Sequence, residues 1–187
     1  MNCTKIEWTD YEAGYITGVT LGDGTMRRTP KSMPYDTMQR YWRVALKSSA
    51  ILERLQAYLS HYSIHVELRR FSTPTMRKLE TRQYGQIEKI HEIMHLRSTR
   101  DFKRGFVAGI YDAEGNCYRQ NLRIYNYDQA LRKRIVDYAK PFGFDFYIED
   151  YPSKKGNGVR LRGGKIARER FFETFMPIKE FPCNTQK

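Results

Sequence analysis

Gly14-Tyr15-Ile16-Thr17-Gly18-Val19-Thr20-Leu21-Gly22-Asp23-Gly24-Thr25 is answered half a chain later by Gly105-Phe106-Val107-Ala108-Gly109-Ile110-Tyr111-Asp112-Ala113-Glu114-Gly115-Asn116. Aromatic matches aromatic, aliphatic matches aliphatic, and each copy closes on an acid followed by glycine. The repeat predicts a duplicated unit. Each copy reads as a helix with small residues at every fourth position: Gly14, Gly18 and Gly22 in one, Gly105, Gly109 and Ala113 in the other. Isolated glycines cost a helix about 1 kcal/mol each relative to alanine. A helix that carries three of them needs a return, and close approach of a second backbone supplies it. The two helices are therefore expected to pack on each other along their small faces.

Outward from these helices, both halves show the same order of patterns. Thr9 with Glu12 predicts a capping box ahead of the first helix. Strands are predicted at 25–32 and 40–47, the second with Trp42, Val44 and Leu46 alternating against Tyr41, Arg43, Ala45 and Lys47. A helix over 49–62 follows, then strands at 66–68 and 75–82, then a helix over 84–96. The second half gives a helix over 99–114, strands near Tyr118 and at 122–124, a helix over 127–142, strands at 144–150 and 158–162, and a helix over 164–175. Lys154-Lys155-Gly156-Asn157-Gly158 reads as a hairpin turn. The fold class expected is α+β, with two pseudo-symmetric αββαββα lobes at residues 1–97 and 98–187. Two antiparallel sheets would form a saddle, with the paired motif helices at the lobe interface.

Composition narrows the partner. The 187 residues include 33 Lys and Arg against 21 Asp and Glu, a formal net charge of +12. That excess attracts a polyanion, nucleic acid first among them. The three cysteines, Cys3, Cys117 and Cys183, form no CxxC pair, which speaks against a zinc knuckle or a disulfide framework. No apolar run approaches the roughly 18 residues of a membrane span. A soluble, intracellular, monomeric protein without a targeting segment is expected.

The basic residues fall on the strands. Arg27, Arg28, Lys31, Arg40, Arg43, Lys47, Arg69, Arg77, Lys78 and Arg82 occupy the first half; Arg119, Gln120, Arg123, Lys154, Lys155, Arg160 and Arg162 the second. Arg and Gln read base edges, and Lys and Arg hold phosphates. A two-stranded ribbon fits the major groove, so double-stranded DNA is the expected partner.

Asp23 and Glu114 each close a predicted helix, where a carboxylate opposes the macrodipole at a cost of about 0.3–1 kcal/mol. Side by side they would also repel each other. A divalent cation between them offsets both penalties, and oxygen ligands favour Mg²⁺. Beside a basic face, a metal shared by two acids suits phosphodiester hydrolysis.

On these residues the chain resembles a two-repeat, monomeric LAGLIDADG homing endonuclease of the compact archaeal-intron type, with the motifs at Ile16–Gly24 and Val107–Gly115. The resemblance implies metal-dependent hydrolysis of both strands of a long, imperfectly palindromic duplex, leaving short 3′ overhangs. It implies a metal role for Asp23 and Glu114, with Gly22 and Ala113 making the close helix contact at the metal site. Mg²⁺ is the implied cofactor; Mn²⁺ is expected to substitute, and Ca²⁺ to support binding without cleavage. Lys165, Gln86 and Lys47 match positions where the family places accessory residues, whereas Cys117 stands where some compact relatives carry a lysine. Asp112, inside the second motif, faces Leu21 in the first and reads as packing or polar support rather than catalysis. The alternative is a LAGLIDADG-fold protein that binds nucleic acid without cutting, as an intron RNA maturase or a regulator.

Overall fold

A computed structural model describes residues 9–27, 40–96, 98–118, 121–151 and 156–179. The first half contains α1 (Asp10–Asp23), β1 (Gly24–Arg27), β2 (Tyr41–Leu46), α2 (Ser49–His61), β3 (Glu67–Arg70), β4 (Arg77–Thr81) and α3 (Tyr84–Met94). The second repeats the order with α4 (Arg100–Glu114), β5 (Gly115–Tyr118), β6 (Asn121–Tyr125), α5 (Gln129–Ala139), β7 (Phe146–Glu149), β8 (Gly158–Leu161) and α6 (Gly164–Phe175). The fold is the expected α+β arrangement, αββαββα twice. The two four-stranded antiparallel sheets have the equivalent orders β1-β2-β4-β3 and β5-β6-β8-β7.

The small faces of α1 and α4 meet as their spacing predicts. A Cβ added at Gly14 would lie 2.0 Å from the Phe102 carbonyl oxygen, and one at Gly105 would lie 1.9 Å from that of Tyr11. Gly18 abuts Phe106 and Gly109 abuts Tyr15 in the same way. Contacts advance along both helices together, from Gly14 on Phe102 to Gly22 on Ala113, so α1 and α4 run parallel. Backbone contact on this scale leaves no room for side chains, and residues Ala13–Thr20 are buried without a break. Around this axis the helix-facing strand positions Trp42, Val44, Leu79, Leu122, Ile124 and Val159 complete the core with Leu52, Leu55, Ile135 and Phe171.

Two local expectations are corrected. Thr9 precedes α1 but its side chain makes no capping bond, and no capping box forms. Glu12 pairs instead with His61 at 3.0 Å, while the Thr9 carbonyl accepts from the Tyr62 hydroxyl at 3.0 Å. The acid of the expected box is thus engaged at the α2 end. The helix predicted to reach residue 142 ends at Ala139 and tightens into a 3-10 turn, Lys140–Phe142, where Pro141 removes a donor. Gly143 closes that turn in the left-handed conformation, at φ 78°.

Candidate active site at the paired helix ends

Because α1 and α4 are parallel and in step, their C-termini arrive at the same place. At Gly22 an added Cβ would lie 2.5 Å from the Ala113 Cβ and 3.2 Å from the Glu114 Cγ, so the turn bearing Asp23 touches the side chain of Glu114. Two aligned dipoles now present their negative ends together, with a carboxylate on each. Burial raises the carboxyl of Asp23 above its ordinary range, against the pull of Lys179. For Glu114, burial and then the neighbouring Asp23 push the carboxyl up to about 7, again opposed by Lys179.

The fit to a cation rests on this chemistry: two half-buried, mutually repelling carboxylates at convergent helix ends. Among the described residues no cluster of three or more His, Cys, Asp or Glu could enclose a metal ion. Carboxylate oxygens are the donors a hard divalent cation takes, and Asp23 and Glu114 are the residues that would hold one here.

A pH dependence follows. The folded-state value of Glu114 lies above its unfolded value, so its stabilising contribution is complete below the ordinary carboxylate range and disappears as pH rises through about 7. In chelator, the melting temperature is expected to fall between about pH 5 and about pH 8, and Glu114→Gln is expected to flatten that slope. Calorimetric scans across this range, with and without the substitution, check it.

Lys179 had no signal in the sequence: it lies far from both motifs and outside any predicted element. It arrives through Asp112. That carboxylate, 0% exposed, accepts from the Tyr15 hydroxyl at 2.7 Å, the Ile178 N–H at 2.9 Å and the Lys179 N–H at 2.8 Å. Burial raises its carboxyl, and these three donors act against the rise. The polar support expected of Asp112 is thus a clamp joining α1, α4 and the segment after α6. The clamped Lys179 donates its ammonium to the carbonyls of Ala113 at 2.8 Å and Gly115 at 3.1 Å. Ala113, expected to make the close helix contact at the metal site, thus has its carbonyl bonded by a side-chain cation.

The accessory residues scatter. Strand register puts Gly24 opposite Val44, and Val44 opposite Leu79, so the carboxylate end of the first sheet is the end where Lys47 follows β2. Lys47 is exposed there, near the acids' end of the sheet. Gln86 lies beyond the opposite end of β4 and accepts from the His65 N–H at 3.3 Å. Lys165 likewise follows the far end of β8, with its ammonium 3.7 Å from Glu169. The register does not bring Gln86 or Lys165 to the carboxylate pair. Cys117 is buried on β5; burial raises its thiol while Arg168 lowers it.

The sheet faces turned away from the helices carry most of the expected basic residues. Arg27, Arg43, Arg69, Lys78 and Arg82 share the outer face of the first sheet, and Arg123, Arg160 and Arg162 that of the second. Arg40 and Arg77 are corrected to the helix side, because alternation places them with Trp42 and Leu46. Arg40 lies with its guanidinium 5.4 Å from the centre of the Tyr84 ring. Arg28, Lys31, Arg119, Gln120, Lys154 and Lys155 lie outside the described residues.

Each outer face also encloses an acid that composition alone concealed. Glu80 accepts from Lys78 at 2.7 Å and Arg82 at 3.3 Å. Burial works to raise the Glu80 carboxyl, but these two cations outweigh it and hold it below its ordinary range. Glu149 pairs with Arg123 at 3.0 Å and lies 3.7 Å from Arg160. The guanidinium groups are thus held in fixed directions before any ligand arrives.

Residues 101–176 match the family model of the LAGLIDADG-like domain. The homing endonuclease I-DmoI in complex with DNA and Mn superposes with a TM-score of 0.63 at 20% identity, covering 91% of this chain and 99% of that one. The fold is that of the LAGLIDADG proteins. The N-terminal LAGLIDADG domain of DUF199/WhiA superposes with a TM-score of 0.65 at 12% identity, covering 94% of this chain and 86% of that one. No curated protein sequence matches the chain. In this LAGLIDADG fold the family model covers the second half, and the first half repeats its topology strand for strand. No helix among the described residues is long and apolar enough to cross a membrane.

Proposed function

We propose that the protein is a site-specific DNA endonuclease that hydrolyses both strands of a long, imperfectly palindromic duplex with a divalent metal, leaving short 3′ overhangs. The observation that carries this reading is the meeting of Asp23 and Glu114 at the parallel ends of α1 and α4. I-DmoI structures contain DNA with Mn or with Ca, and a variant form was solved with target DNA and Mg, which supports divalent metal use in this fold. Residues 1–97 and 98–187 serve as two lobes of a monomer, one for each half of the target, with the motif helices between them.

In this reading Asp23 and Glu114 hold Mg²⁺, with the main chain at Gly22 shaping the gap. The bound ion supplies Lewis-acid stabilisation of charge on the scissile phosphate and activates water. The chain's own contribution is positional. Each acid comes from a different half, so each half can serve one strand. The outer-face basic residues hold the duplex across the helix ends: Arg69, Lys78 and Arg82 from one sheet, Arg160 and Arg162 from the other. Lys47 stands close enough to the acids' end of its sheet to contact the backbone of the same strand.

Selection of cleaved members from a randomised duplex library in Mg²⁺ tests the reading and yields the target. With that target, Arg43→Ala and Arg123→Ala are expected to relax preference at particular base pairs, each by about 1–3 kcal/mol. If ~10 phosphates are neutralised, log affinity should fall against log salt with a slope near −9. Unchanged base preference in both variants would assign these two arginines to the backbone instead. The alternative of a non-cleaving binder, to intron RNA or to DNA, predicts retention of ligand with no metal-dependent nicking.

A further inference from the structure

We infer that Lys179 is a built-in counter-cation of the Asp23–Glu114 pair and competes with the divalent ion at the Ala113 carbonyl. The inference deepens the nuclease reading and rests on it for the metal. Three observations meet at this residue. Its ammonium lies on the carbonyls of Ala113 and Gly115, which flank Glu114 in the chain. Burial lowers its ammonium below the ordinary lysine range, and Asp23, Asp112 and Glu114 pull against that shift. Its backbone N–H is bonded to the buried Asp112, which fixes where the side chain starts, while the two carbonyls hold the ammonium itself.

Those two carbonyls lie at the C-terminus of α4, where main-chain acceptors lack helical donors. A cation there caps the helix and opposes the negative ends of two parallel dipoles. It also answers how a pair of repelling, half-buried carboxylates persists in the folded chain before metal arrives. The ammonium is tethered to the chain and bonded to both carbonyls, so its charge weakens the field that a divalent cation meets there. The predicted consequence is a site tuned for moderate metal affinity, with a charge already in place when the ion is absent.

The test uses the full chain with Lys179→Met, which keeps length and removes charge, and Lys179→Arg, which keeps charge. Mn²⁺ alone is the probe, with bound ion read from loss of the free-ion electron paramagnetic resonance signal. Lys179→Met is expected to bind Mn²⁺ about tenfold more tightly, as removal of a neighbouring positive charge implies at short range, and Lys179→Arg to stay near the parent. In chelator, Lys179→Met is expected to melt lower than the parent, and Glu114→Gln in that background to restore most of the loss. Equal Mn²⁺ affinity in the Met variant and the parent overturns the competition. A chelator loss that Glu114→Gln leaves untouched overturns the counter-charge role and makes Lys179 a helix cap alone. Failure of the nuclease reading looks different: Mn²⁺ binding would then be insensitive to Asp23→Asn and Glu114→Gln, whereas the rescue in chelator would still decide the role of Lys179.

Discussion

Asp23→Asn and Glu114→Gln are each expected to lower double-strand cleavage at least about a thousandfold, ~4 kcal/mol of barrier, while duplex binding in Ca²⁺ survives. Each change keeps the size of the side chain and deletes the charge that would hold the metal. Binding survives because the outer-face basic residues that hold the duplex are left unaltered. The same changes should stabilise the metal-free protein above neutral pH, since each removes one member of a repelling pair whose burial raises both carboxyls. Plasmid cleavage in Mg²⁺, gel shifts in Ca²⁺ and melting in chelator separate these effects. A variant that still cuts both strands at the parental rate would exclude its acid from the chemistry.

The second large effect is expected at the helix interface. Gly105→Ala and Gly14→Ala each place a methyl group about where a backbone carbonyl already stands, 1.9 Å from Tyr11 and 2.0 Å from Phe102. No rotamer relieves such a clash, because the obstacle is main chain rather than a flexible side chain. The helices must separate, and the loss should reach about 3 kcal/mol or more, a large part of a typical domain's ~5–15 kcal/mol. Gly85→Ala in α3 is the control. Nothing lies within 4 Å of its added Cβ, so helix propensity should instead stabilise by up to about 1 kcal/mol. Urea unfolding midpoints at constant slope distinguish packing damage from altered cooperativity. Separation of the helix ends by Gly105→Ala should also reduce cleavage in whatever fraction remains folded.

Much of this was legible in residue order. The four-residue spacing of Gly14, Gly18 and Gly22 against Gly105, Gly109 and Ala113 implied both helices and their contact, since glycine in a helix interior is a local loss that only close packing offsets. Alternation at Trp42, Val44 and Leu46 implied a strand with one covered face. Misreadings arose where a long-range partner outcompeted a local one. His61 takes Glu12, so the acid of the local capping pattern is engaged elsewhere. Arg40 and Arg77 counted as members of a basic face by proximity in sequence, but strand parity turned them toward the helices.

The sequence by itself determined the duplication, the α+β order, the small-residue faces and the candidate acids. All of these depend on periodicity or residue chemistry within a few positions, which tertiary structure can only follow. The tertiary structure alone decided that α1 and α4 run parallel and in step, that Glu80 and Glu149 sit inside the basic faces, and that Lys179 reaches the Ala113 carbonyl by way of Asp112. Those facts join residues that are distant in the chain. Electrostatic energy depends on separation in space, so no reading of spacing along the chain could assign Lys179 its partners.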